Sequence, residues 1–270
     1  MLKIFTILIL ISLPFAAIAK TADEVLASGT AEEKGLAIVV ESDERDFGFG
    51  DVEVDVEMIL TNAHGQKSKK EMRNKTFEMK DSSVGDKTMI VFDKPRDVKG
   101  TAFLTFSKIL EADDQWLYLP ALKRVKRISS KNKSGPFVGS EFAFEDISSQ
   151  EIGKYSYKYL RNESCGEMEC FVVERKPLYE YSGYTKMISW IDTEEFQLRK
   201  VDFYDRKKSL LKTLTYEGYK KYLNKYWRAD RFLMTNHQNG KSTDLRWNNY
   251  KFRTGLQESD LTKAKLKNAK

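Results

Sequence analysis

Two cysteines, two histidines and a few adjacent carboxylates are the residues of this 270-residue chain whose types could do chemistry. Asp113-Asp114 and Glu145-Asp146 have the pairing that general acid–base work or calcium binding uses, but adjacent acids without further ligands usually solvate a loop. His64 stands beside Gly65, and His237 lies in Asn236-His237-Gln238-Asn239-Gly240. Both are expected on exposed turns rather than as bases. Ser129-Ser130 has no histidine nearby in sequence, and no nucleophile-elbow, zincin or phosphate-loop pattern occurs. Catalysis, a metal and a cofactor are therefore not expected. Cys165 and Cys170, in CGEMEC, are too few and wrongly spaced for a zinc or redox motif. In an oxidising compartment they are expected to form a disulfide across a hairpin tip, a local brace because the loop is short.

The elements around these residues are mostly strands. In Asp51–Leu60 the even positions Val52, Val54, Val56, Met58 and Leu60 are apolar, and Glu53, Asp55 and Glu57 are charged. That period of two predicts a half-buried strand, followed by a turn at 62–65 and a polar strand to about Met79. Similar runs at 87–93, 101–106, 116–119, 155–159, 170–175, 186–192, 198–205, 210–219, 227–235 and 243–252 predict about a dozen strands. Asn162-Glu163-Ser164 and Asn239-Gly240 read as turns between them. Residues 22–40 predict one or two short helices, with Gly29 and Gly35 weakening the pattern. The basic tail from Ser259 is compatible with helix. The fold class is mainly β (α+β), an antiparallel and curved sheet.

Met1 to Ala19 carries Lys3, an apolar run from Ile4 to Leu13 and a small-residue pattern at Ala17-Ile18-Ala19. This fits a secretory signal peptide and is too short to span a bilayer. A single domain is expected from residue 20, soluble in a bacterial periplasm. Composition agrees with a folded chain: 46 basic and 40 acidic residues give +6, and 16 Phe, 13 Tyr and 4 Trp supply a core. So balanced a charge does not suggest nucleic-acid binding.

The segment 114–147 breaks the simple pattern. Both faces of Trp116-Leu117-Tyr118-Leu119 are apolar, as in a strand covered on two sides. Lys123-Arg124-Val125-Lys126-Arg127 then places four positive charges in five residues. A long irregular stretch from Ser129 to Asp146 carries Phe137, Phe142 and Phe144, so it is expected to pack on something.

Asp97-Val98-Lys99-Gly100-Thr101-Ala102-Phe103-Leu104, the run from Asp113 through Val125, Arg127-Ile128-Ser129-Ser130, and Gly139-Ser140-Glu141-Phe142 through Glu145-Asp146 resemble the outer-membrane lipoprotein-sorting (LolA-like) family. The resemblance covers roughly residues 22–260 and is sharpest over 95–147. The chain departs from the family at Gly135-Pro136-Phe137, where members more often carry Gly-Ser-Phe. The resemblance implies a strongly curved sheet forming an incomplete barrel, with short helices over its open side and an apolar cavity that accepts acyl chains. Residues expected to line it are Phe103, Leu104, Phe106, Trp116, Tyr118 and Leu119, with Phe137, Phe142 and Phe144 as a lid. Trp116 and Tyr118 must point opposite to Leu117 and Leu119, so they cannot all line one cavity. Lys123, Arg124, Lys126 and Arg127 are read as a head-group contact, a partner-docking surface or a solvated strand face. The expected function is a periplasmic carrier for lipid or lipoprotein acyl chains. The alternative is a lipid sensor or accessory protein of a resistance–nodulation–division type transporter, in either case with an inner-membrane transporter as a possible partner. An exported hydrolase ranks third.

Overall fold

A computed structural model describes residues 19–81 and 83–269. The segment assigned to the export signal lies outside the described residues, apart from Ala19. Two helices open the described chain, α1 (Ala22–Leu26) and α2 (Ala31–Asp46). Each starts at a threonine whose side chain accepts from the backbone of a glutamate three residues on, Thr21 with Glu24 and Thr30 with Glu33. These reciprocal caps are worth about 1 kcal/mol each and mark both helix starts. Gly29, at φ +98°, turns the chain between them. Gly35 lies inside α2 for a different reason. A Cβ there would stand 2.6 Å from the Tyr159 backbone nitrogen, so its absence lets the helix press against a strand.

The strands follow in two runs. The first is β1 (Asp51–Thr61), β2 (Lys67–Phe77), β3 (Lys87–Lys94), β4 (Ala102–Phe106), β5 (Asp114–Leu119) and β6 (Arg124–Ile128). The second is β7 (Tyr155–Cys165), β8 (Met168–Pro177), β9 (Tyr184–Asp192), β10 (Leu198–Asp205), β11 (Leu210–Glu217), β12 (Lys220–Tyr222), β13 (Tyr226–Arg228), β14 (Arg231–Asn236) and β15 (Ser242–Phe252), before a short α3 (Lys263–Leu266). Thirteen of the fifteen form one antiparallel sheet in the order β6-β5-β4-β3-β2-β1-β15-β14-β11-β10-β9-β8-β7, and β12 pairs with β13 alone. The two strands joined by residues 129–154, β6 and β7, are therefore the two free edges of the sheet. This is the expected incomplete barrel.

Alternation sorts the side chains onto two faces. Val54, Val56, Met58, Ile90, Phe92, Phe103, Phe171, Val173, Val201, Phe203 and Leu214 belong to one buried cluster with Ile38 of α2. Strands from both ends of the sheet thus contribute to one core, so the sheet curls with this face inward. Met89, Val91, Ala102 and Leu104 point outward and are covered by Leu256, Leu261 and Leu266 of the C-terminal tail. No helix among the described residues is long and apolar enough to cross a membrane.

Several local expectations change. Residues 162–164 are not a turn but part of β7, and the hairpin tip is Gly166-Glu167. Cys165 and Cys170 close a disulfide just behind it, with Cα atoms 5.8 Å apart. A loop this short contributes about 2 kcal/mol in the chain-entropy account. The single strand expected at 227–235 is two, because β13 pairs only with β12 whereas β14 lies in the main sheet between β11 and β15.

Candidate functional site: the plugged inner chamber

The link between the two sheet edges does not bridge them from outside. Its central part folds into a small hairpin that enters the curl of the sheet. Phe137 N–H donates to Phe142 O at 2.7 Å, and Pro136 pairs with Ala143. Phe137 and Phe142 are buried, at 0% and 2% exposure. The Phe137 ring lies 6.0 Å from Phe92, 5.2 Å from Phe103 and 5.6 Å from Phe144. Aromatic pairs at such spacings add about 0.5–1.5 kcal/mol beyond their buried area. The hairpin tip has Val138 at φ +47° and Gly139 at φ +81°. The first is a strained conformation for a β-branched residue, held only because its surroundings over-determine it.

Polar side chains of the sheet fasten this plug on every side. From β2, Lys70 Nζ donates to Val138 O at 2.6 Å. From β5, Gln115 Nε2 donates to Phe144 O and to Ser148 Oγ. From the far half, Lys212 Nζ donates to Glu141 O at 2.8 Å and to Asp146 Oδ2 at 2.6 Å. Asn236 Nδ2 donates to the Glu141 carboxylate, and Glu141 N–H donates to Thr243 Oγ1. Asp146 also accepts from Tyr184 OH at 2.8 Å and from Ala143 N–H at 2.6 Å. Its neighbour Glu145 accepts from Tyr179 OH, Ser182 Oγ and Gly183 N–H, all at 2.8–2.9 Å. Burial, and after it the adjacent Asp146, pushes the Glu145 carboxyl above its usual range despite these three donors. The Glu145-Asp146 pair is thus not the solvated loop expected from sequence. It is a buried anchor, because the β8–β9 connection supplies donors to both Glu145 oxygens and strand residues Tyr184 and Lys212 supply donors to both Asp146 oxygens.

A second clasp closes the seam where the plug leaves β6 and reaches β7. Lys154 forms a buried ion pair with Asp113, and Lys133 Nζ donates to Asp113 O. Burial lowers the pKa of Lys133. The space left between Asp113, Lys133, Glu145, Lys154, Tyr155 and Tyr179 is about 20 Å³, room for roughly one water.

The residues read as cavity lining are divided by the sheet. Phe103, Phe137, Phe142 and Phe144 come together inside. Leu104, Phe106, Trp116 and Tyr118 stand on the outer face under the C-terminal tail. Leu117 packs against the inner core instead, and Leu119 is partly exposed. The apolar space that the resemblance implied is occupied by the chain's own phenylalanines. Lys123, Arg124, Lys126 and Arg127 are exposed on and just before the free edge strand β6, beside Leu122 at 62% exposure. Arg127 pairs with Asp114. His64 and His237 are exposed, as expected. His237 Nε2 lies 2.8 Å from Thr213 Oγ1, which donates to Asp202. This order puts the hydroxyl rather than the imidazole in the middle, so no carboxylate orients the ring as a general base.

Sequence reasoning missed Lys212, Tyr179, Tyr184 and Asn236 as plug contacts, and Arg175. The last is buried on the inner face of β8, and strand parity with Phe171 and Val173 is the signal that could have found it.

The family model that matches residues 85–268 describes an uncharacterized protein family. No curated protein matches the chain. Among solved structures, the chain is 55% identical to an outer membrane lipoprotein-sorting protein domain from Vibrio parahaemolyticus, with a TM-score of 0.85 over 87% of this chain and 99% of that one. A DUF1329 family protein from Desulfovibrio piger is 26% identical, with a TM-score of 0.83 over 88% of this chain and 100% of that one. A LolA superfamily protein from Nitrosomonas europaea shares the fold at 23% identity, with a TM-score of 0.68 over 88% of this chain and 99% of that one. On this identity and coverage, the chain belongs to the outer membrane lipoprotein-sorting, LolA-like, protein family.

Proposed function

We propose that this chain, a single domain from residue 20 exported to the periplasm, is a non-enzymatic carrier that shelters acyl chains inside the curled sheet. The observation that carries the reading is the plug. The inner chamber is filled by a segment that joins two unpaired sheet edges, is strained at Val138 and is held by separable polar clasps. Withdrawal of the plug would uncover an aromatic chamber. Three phenylalanines contribute roughly 1.5–3 kcal/mol each when buried, and an acyl chain gains about 0.8 kcal/mol per CH₂. Some ten covered methylenes therefore match the phenylalanines they displace, and longer chains offset the lost clasps.

A specific observation favours a second role. Four cations and Leu122 on the free edge β6 form a surface suited to an anionic membrane or an inner-membrane transporter partner, as an accessory protein of such a transporter would need. Mass spectrometry of lipid co-purified from native periplasm, with exchange of a fluorescent acyl probe, tests the carrier. Bound acyl lipid and saturable exchange are expected. A lipid-free protein that exchanges no probe would overturn it. Crosslinking from position 123 tests the partner, and capture of an inner-membrane transporter is expected.

A further inference from the structure

Arg175 is an arginine inside the core without an ionic partner. Its neighbours in register are Tyr157 on β7 and Met187 on β9, both on the inner face. It is 8% exposed, and its Nε is buried with no hydrogen-bond acceptor. Among the described residues it makes no ion pair and no hydrogen bond. The contact it makes is with the Tyr155 ring, whose centroid lies 5.7 Å from its guanidinium carbon. The other basic groups of the chamber and its seam are matched: Lys212 by Asp146, Lys154 by Asp113, and Lys133 and Lys70 by carbonyls. Leaving a buried charge unpaired is costly, and arginine cannot discharge by losing its proton. Tyrosine rings repay only part of that cost.

The position ties Arg175 to the plug. Tyr155 OH lies 3.4 Å from Tyr179 OH, and Tyr179 donates to Glu145 of the plug. Its charge also reaches Tyr155, Tyr157 and Tyr216, where it opposes the rise in pKa that burial causes. Nε and the adjacent Nη form the side-on fork that fits a carboxylate or phosphate.

We infer that Arg175 is an anion-binding site within the chamber, and that the cargo is an amphiphile with an anionic end, carboxylate or phosphate. This rests on the carrier reading and sharpens it. The acyl chains of a lipoprotein end in uncharged ester or amide groups and would leave the guanidinium unmatched. A fatty acid or a simple phospholipid would not.

The test is displacement of a fluorescent acyl probe from the full-length mature protein by palmitate, hexadecyl phosphate and hexadecanol. Wild type is expected to bind both anions at least tenfold more tightly than the alcohol, and the stronger of the two identifies carboxylate or phosphate. Arg175→Met is expected to abolish that preference while retaining hexadecanol binding, and Arg175→Lys to keep part of it. Equal binding of all three ligands by wild type overturns the inference but leaves the carrier intact. An Arg175→Met protein that keeps the full anion preference overturns it as well. If wild type binds none of the three and exchanges no probe, the carrier reading itself fails. The wild-type comparison stands even if Arg175→Met does not fold.

Discussion

Lys212 Nζ lies 2.6 Å from Asp146 Oδ2, with the two side chains only 4% and 5% exposed. This ion pair joins the floor of the chamber to the plug that fills it. Removing one partner of a buried pair leaves the other charge uncompensated, at a cost of about 3–5 kcal/mol. In Asp146→Asn that cost falls on the plugged state, so the proposed withdrawal of the plug becomes easier. The expected outcome is a lower urea midpoint together with faster uptake of a fluorescent acyl probe. A variant that is less stable yet takes up probe at the wild-type rate would show that the pair is structural and not a latch.

Gly35→Ala gives a prediction whose sign opposes helix propensity. Alanine in a helix interior is favoured over glycine by about 1 kcal/mol. At this position the new Cβ would meet the Tyr159 nitrogen at 2.6 Å and Lys158 backbone atoms at 2.8 Å. Backbone cannot step aside as a side chain can, and overpacking of this kind costs about 1–3 kcal/mol. Thermal unfolding should show a net loss of stability. A rise in Tm would mean that α2 does not press on β7 as described.

The parts of this fold that could be read from sequence are those governed by neighbours in the chain. The alternation at 52–60 predicts β1 because Glu53, Asp55 and Glu57 face out while Val54, Val56 and Met58 face the core. The two-sided apolar pattern at 116–119 is explained by Leu117 packing inside and by the tail covering Trp116 and Tyr118 outside. The contents of the chamber could not be read in the same way. Asp146 meets Lys212 across 66 positions of sequence and Glu141 meets Asn236 across 95, and no local pattern encodes such pairs. The family resemblance pointed to an apolar interior and to three phenylalanines near it. It did not say that those phenylalanines are its contents.

The pH dependence of stability should centre on Glu151 and Asp86. Burial, and then the charge of Asp86, pushes the Glu151 carboxyl from 4.5 to about 7. Burial likewise pushes Asp86 from 3.8 to about 6. Both folded values are raised, so the folded protein holds protons that the unfolded chain releases. Their stabilising contribution is full below about pH 4 and is lost as pH rises through 6 and 7. Glu151→Gln mimics the protonated form at every pH. Its urea midpoint should match wild type at pH 4.5 and exceed it at pH 8. A difference of the same size at both pH values would refute the assignment.

The cationic edge leads to a prediction that separates its members. Arg127 is paired with Asp114, which also has Lys108 within 3.9 Å. Lys123, Arg124 and Lys126 have no such carboxylate among the described residues. A cation near an anionic membrane surface contributes about 1 kcal/mol. Replacing Lys123, Arg124 and Lys126 together by serine should therefore weaken binding to phosphatidylglycerol vesicles by roughly a hundredfold at low salt, and by less at physiological salt, where screening acts within about 8 Å. Arg127→Ser alone should have a smaller effect than any of the three, because Asp114 already offsets its charge. Leu122→Ala should weaken binding equally at both salt concentrations, since apolar burial is not screened. Vesicle co-sedimentation distinguishes these patterns. Binding that ignores all five substitutions would assign the edge strand to a solvated face.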